Sequence, residues 1–206
     1  MTKKSSTYTR QFTRRRILAA STAAAATAGF GFPAILRAQA APVKVGVQHP
    51  ITGFLAYSGN QCRAGALMGI EDINARGGIK SLGGAKLEPL LSDNQSKVDV
   101  GLSEFDKLAE AGITAFIGPY ASAIGVATSQ AATRYNLPHL CDLCVSDRVI
   151  GADKPSVFRF SPGYGQFAKE AVERLVQLNE GAGKPVKKVM LIHEESESGA
   201  GAQKQL

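Results

Sequence analysis

The 206-residue chain has no tryptophan and only three cysteines, three histidines and three methionines. Cys141-x-x-Cys144 has no second Cys-x-x-Cys and no suitably spaced histidine pair to match it, so the pattern of a structural zinc site is missing. Acidic residues are absent from positions 1 to 40, where seven cations stand: Lys3, Lys4, Arg10, Arg14, Arg15, Arg16 and Arg37. Taking those seven from 24 Lys and Arg leaves 17 against 17 Asp and Glu, so the formal charge of +7 belongs to that segment. The remainder is neutral and has no basic cluster, which removes the main support for a nucleic-acid partner.

What the first 40 residues do have is an address. Thr13-Arg14-Arg15-Arg16-Ile17-Leu18 is a twin-arginine pattern, an Ala-rich apolar stretch follows, and Ala38-Gln39-Ala40 is a small-x-small cleavage site. The stretch is short and ends at Pro33, which argues against a permanent membrane helix. The expectation is a bacterial export leader over 1–40, read through Arg14 and Arg15, handled by the twin-arginine machinery and cleaved after Ala40 into the periplasm. An uncleaved anchor is the lesser alternative, and an organelle transit peptide fits the contiguous arginines less well.

The rest alternates strand and helix. Val43 to Val47 reads as a strand, Thr52 to Gly59 as a loop, and Asn60 to Asn74 as a helix with Ala66, Leu67, Ile70 and Ile73 on its buried face. Gly77-Gly78 ends that helix. Lys86 to Leu91 is a second strand, closing at Asp93, and Lys97 to Ala111 a second helix with Val100, Leu108 and Ala111 on one side. Ile113 to Ile117 is a third strand, stopped by Gly118-Pro119, and a helix runs from Ser122 to Tyr135. Leu137 to Leu140 and Val157 to Phe160 are further strands. Gly163 to Asn179 reads as a helix with Phe167, Ala171, Leu175 and Leu178 inward, and Lys188 to His193 as a last strand. Repeats of this length predict an α/β fold with a parallel sheet and helices on both faces.

The organising stretch is Ala115 to Ser122. A helix that starts where a parallel strand ends presents unpaired backbone N–H groups, which suit an anion, and Ser122 adds a hydroxyl. The alternative is that Ser122 only caps its helix.

Six segments, VGVQHPITGFLAYSG, GIEDINARGGI, LSDNQS, IGPYASAIGVA, YNLPHL and VFRFSP, occur in the order seen in one family. Through them the chain resembles the periplasmic solute-binding proteins of branched-chain amino acid ABC transporters, two-lobed proteins of the type I periplasmic binding fold. The resemblance implies a first lobe over 41–160 and the start of a second over 161–206. It implies no cofactor and no catalysis. It also implies a small-molecule ligand held between the lobes and an ABC permease of the inner membrane as partner. Ligand contacts are expected from Tyr57, Ser58, Tyr120, Ala121, Ser122, Leu143, Cys144, Val145, Ser146 and Ser198. Departures from the family's pattern fall at Ser58, Val145 and Ser198, so leucine, isoleucine or valine is not assumed. Amides, urea and aromatic or aliphatic carboxylates stay open. The chain stops at Leu206 in what reads as the start of a helix; a truncated chain is expected, without measurable ligand binding of its own.

Two other readings stand beside this one: a sensory module of the same fold without a transporter, and a thiol–disulfide enzyme built on Cys141 and Cys144. A local Cys141–Cys144 disulfide is expected ahead of redox chemistry, and Cys62 reads as a small packing residue. His139 and His193 read as hydrogen-bonded structural residues. Glu194, Glu195 and Glu197 read as a solvated acidic loop.

Overall fold

The structure is a computed structural model and describes residues 40–206. Arg14, Arg15 and Ala38, the leader's signal positions, lie outside the described residues, and Ala40 is the first residue inside them.

Five strands build one sheet: β1 (Val43–His49), β2 (Leu87–Asp93), β3 (Ala115–Ile117), β4 (His139–Cys141) and β5 (Val157–Arg159). Their order is β2-β1-β3-β4-β5, and every neighbouring pair is parallel. Among the described residues five α-helices connect or follow them: α1 (Ala56–Ala75), α2 (Val98–Glu110), α3 (Ser122–Arg134), α4 (Tyr164–Gly181) and α5 (Glu197–Gln205). The chain leaves β1 for β2 on one side and comes back past β1 to β3 on the other. The carboxyl ends of β1 and β3 are therefore the switch point of an open α/β sheet, where a crevice forms.

Alternation along β1 sets the two faces. Val45 and Val47 turn toward α1 and pack with Ile70. Gly46 turns the other way, where an added Cβ would meet Ile113 at 2.9 Å and Leu108 and Phe116 at 3.3 Å. Glycine there lets α2 come close. On that face Phe105 and Leu108 of α2, Phe116 of β3 and Ala131 and Ala132 of α3 pack into one buried core cluster. The Phe105 and Phe116 rings meet edge to face at 4.8 Å, a favoured aromatic geometry.

Four expectations are corrected. Helix α1 begins at Ala56, four residues ahead of Asn60, so much of the expected first loop is helical. Residues 188–193 pair with no strand among the described residues, and Val189, Met190 and Ile192 are exposed; an apolar β-rich run needs a neighbour to make a ladder. Helix α4 buries only Ala168, leaving Phe167, Leu175 and Leu178 exposed, because no strand or helix among the described residues covers that stripe. In α2 the buried position is Phe105 rather than Ala111, which is exposed.

Candidate functional site

A cleft of about 510 Å³ lies at the switch point. The β1–α1 loop gives Phe54 and Leu55, the loop after β2 gives Ser96, and the β3–α3 turn gives Tyr120, Ala121 and Ser122. Leu143 and Val145 come from the loop after β4. The chain past β5 supplies Tyr164, Glu194, Ser196, Glu197 and Ser198.

The loop carrying Phe54 is pinned by Asp93. Its carboxylate accepts from the N–H of Ile51 at 2.8 Å and from the Thr52 hydroxyl at 2.6 Å. Burial alone would push the Asp93 carboxyl up, but the Thr52 hydroxyl and the N–H groups of Gln95, Ile51 and Thr52 together hold it below the usual carboxylate range.

At the start of α3 the N-cap position is Ala121, with no side-chain hydrogen bond. Ser122 is the first helical residue and does not cap. The first turn's N–H groups thus have no side-chain acceptor among the described residues, and Ala121 to Ile124 line the cleft. Ser122 is almost fully buried, and its Oγ accepts from the N–H of Ser146 at 3.3 Å, which leaves its O–H proton available. Ser122 is therefore not the cap that the sequence allowed as the alternative: it ties the Ser146 loop to α3 and faces the cleft.

Of the expected contacts, Tyr120, Ala121, Ser122, Leu143, Val145 and Ser198 meet at this cleft. Tyr57, Ser58, Cys144 and Ser146 do not. Tyr57 and Ser58 belong to the first turn of α1, and Tyr57 points to solvent. Between residues 143 and 146 exposure alternates: Leu143 and Val145 line the cleft, while Cys144 and Ser146 are buried. Ser146 instead caps the short 3₁₀ turn at 147–149 and donates to Glu197 Oε1 at 3.0 Å. Glu197 also takes Arg148 Nη1 at 2.9 Å, so the acidic loop is not merely solvated; it latches α5 to the β4 side. Ser196 caps α5 and donates to Glu194 Oε1 at 2.6 Å. Tyr164 and Glu197 were missed because their partners lie far off in sequence, as Glu197 does from Ser146 across 51 positions.

The cysteines are free thiols, so the expected Cys141–Cys144 disulfide is not formed. Cys144 Sγ donates to the Pro119 carbonyl at 2.7 Å, and it fits because residue 125 is glycine, whose absent Cβ would collide with that sulfur. Burial first, then its hydrogen bond to Cys141, pushes the Cys144 thiol well above its ordinary value. A redox or nucleophilic thiol needs exposure and a lowered value, which weighs against the thiol–disulfide reading. His139 is buried and bonds the Gly118 carbonyl at 2.7 Å, as the structural reading expected. His193 is not in a strand; it is exposed, with Nδ1 3.0 Å from the Glu194 carbonyl.

A parallel sheet with a polar crevice at its switch point defines an open α/β fold. The sequence profile described as "Periplasmic binding protein" matches residues 42–206, and the chain belongs to that family. It is 30% identical over 171 residues to "Leu/Ile/Val-binding protein homolog 8" of Brucella abortus, covering 80% of this chain and 41% of that relative. Among solved structures it is similar to the branched-chain amino acid transporter substrate-binding protein LivJ of Streptococcus pneumoniae in complex with isoleucine, with a TM-score of 0.56 and 25% identity over 60% of this chain and 35% of that one. The leucine-binding protein LivK of Thermotoga maritima shares the fold, with a TM-score of 0.67 and 19% identity over 79% of this chain and 44% of its own. So does a Rhodopseudomonas palustris solute-binding protein in complex with 3,4-dihydroxybenzoic acid, with a TM-score of 0.59 and 21% identity over 80% of this chain and 42% of that one. The chain thus spans less than half the length of these relatives.

Proposed function

We propose that residues 41–160 form the first lobe, and residues 161–206 the start of the second, of the solute-binding component of an ABC transporter. The protein works outside the cytoplasm, in the periplasm, after export on the twin-arginine leader. It captures a small polar ligand between the lobes, closes by hinge motion and presents the ligand to an inner-membrane permease without altering it. One observation carries this reading. The side-chain-free N-terminus of α3 opens into a 510 Å³ cleft whose walls come from both parts of the chain, residues 54–145 and 164–198.

A ligand carboxylate, or an equivalent acceptor, would sit on the Ser122 hydroxyl and the first N–H groups of α3. Glu194 on the other wall offers an acceptor for an ammonium or amide hydrogen. The two together favour a ligand with both kinds of group. Calorimetric titration of the two-lobed protein tests this, using leucine, isoleucine and valine, then amides and urea, then aromatic and aliphatic carboxylates. Saturable 1:1 binding of one class is expected, and a flat response to all of them would contradict the reading. Export is tested separately. Arg14→Lys with Arg15→Lys should leave the protein in the cytoplasm with its fold unchanged, and undiminished periplasmic accumulation would remove the twin-arginine route.

A further inference from the structure

A second group of polar side chains meets at the carboxyl edge of the sheet, on the α1 side of Leu143. His49 is the last residue of β1, Asp142 directly follows β4, and Cys62 lies in the second turn of α1. Each offers one donor atom, and the nitrogen, oxygen and sulfur all lie within 4.8 Å of one another. His49 is fully buried, with Nε2 2.6 Å from Asp142 Oδ2. Its other ring nitrogen, Nδ1, is buried with no hydrogen-bond partner among the described residues. Cys62 and Asp142 both line a second hollow of about 680 Å³ between α1 and the sheet, so small solutes can reach them.

A hydrogen-bonded His–Asp pair would account for two of these residues. It leaves the Cys62 sulfur beside the pair unexplained. Imidazole, thiolate and carboxylate together are a donor set suited to borderline transition metals, zinc above all. Thiolate and carboxylate also balance a divalent charge, so binding would leave no net charge in an apolar surround. Metal–donor bonds of about 2.0–2.3 Å place tetrahedral donors roughly 3.3–3.7 Å apart. Reaching that spacing asks the Asp142–His49 contact to open and the sulfur to close in. Cys62 and Asp142 are only partly buried and can turn, whereas His49 is held. We propose that His49, Cys62 and Asp142 form a binding site for a zinc-class divalent ion, with a fourth position open to the hollow under α1.

The proposal does not depend on the ligand cleft, and its test uses the 206-residue chain. Metal-stripped protein is titrated with Co²⁺, whose bond to a thiolate gives a near-ultraviolet charge-transfer band. The expected result is a band that saturates at one ion per chain and is bleached by Zn²⁺. It should persist in the Cys141→Ser, Cys144→Ser double variant and vanish in Cys62→Ser. Cys62 is not fully buried, so that variant should fold, which far-ultraviolet circular dichroism checks. Equilibrium dialysis with Zn²⁺ gives a second readout, with affinity at least tenfold weaker in both Cys62→Ser and Asp142→Asn. No band in the parent chain would overturn the site. So would a band that survives Cys62→Ser, or Zn²⁺ affinity equal in parent and variants.

Discussion

The two hollows beside Leu143 differ in what lines them more than in size. The one under α1 is the larger, at about 680 Å³ against 510 Å³. Its walls are nearly all carbon, from Ile70 and Ile73 of α1 to Phe116, Leu140, Phe158 and Phe160 on and beside the sheet. The smaller one gathers serine hydroxyls, two tyrosines, two carboxylates and a bare helix N-terminus. Pocket volume alone would favour the first. Convergence of polar groups that can fix an orientation favours the second.

The comparison is sharpest in its packing. Phe105 is fully buried between α2 and β3, while Phe158 on the wall of the larger hollow is 58% exposed. Phe105→Ala should cost about 3–5 kcal/mol of unfolding free energy, and Phe158→Ala less than about 1 kcal/mol. Urea denaturation of both variants reads the difference. Equal losses would mean that the wall of the larger hollow is packed in solution, and the contrast would fail.

His139 gives a smaller effect from the same region. Burial drives its imidazole down to about 4, against the upward pull of the Gly118 carbonyl and Asp142. A histidine depressed in the folded state adds stability above its unfolded value near 6.5. That stability is lost as pH falls toward 4, because the unfolded chain takes the proton first. The loss should reach on the order of 3 kcal/mol at roughly 1.4 kcal/mol per unit. Urea midpoints between pH 7 and pH 4, compared with His139→Asn, isolate it: the parent should fall more steeply than the variant. Parallel slopes would mean that the ring is hydrated.

Much of this was legible in the residues. Strand, Gly-Pro and a helix of small side chains located Tyr120 to Ser122, because β-run length and glycine punctuation report backbone geometry directly. The start of α1 was not legible: its N-cap is Leu55, which makes no side-chain hydrogen bond, so no Ser, Thr, Asp or Asn marked the boundary and Tyr57 and Ser58 were read as loop. Cys144 and Ser146 were put in the cleft with Leu143 and Val145 because a loop's alternation is set by what it packs on, here the Pro119 carbonyl and Ser122. The Lys188 to His193 run was read as a strand from its β-branched residues, but no strand among the described residues pairs with it. His49, Cys62 and Asp142 carried no spacing signal at all, since the sheet order, not the sequence, brings them together.

The most direct test of the cleft is Ser122→Ala in the two-lobed protein. The substitution removes one hydroxyl to the ligand and leaves the α3 backbone donors in place. A charge-assisted hydrogen bond contributes about 1.5–3 kcal/mol, so ligand affinity measured by calorimetry should fall roughly 10- to 150-fold. Thermal melting of the unliganded variant should change little, because Ser122 caps nothing and gives up one 3.3 Å bond to Ser146. Unchanged affinity together with a lowered melting temperature would contradict the account and make Ser122 a loop tie with no part in binding.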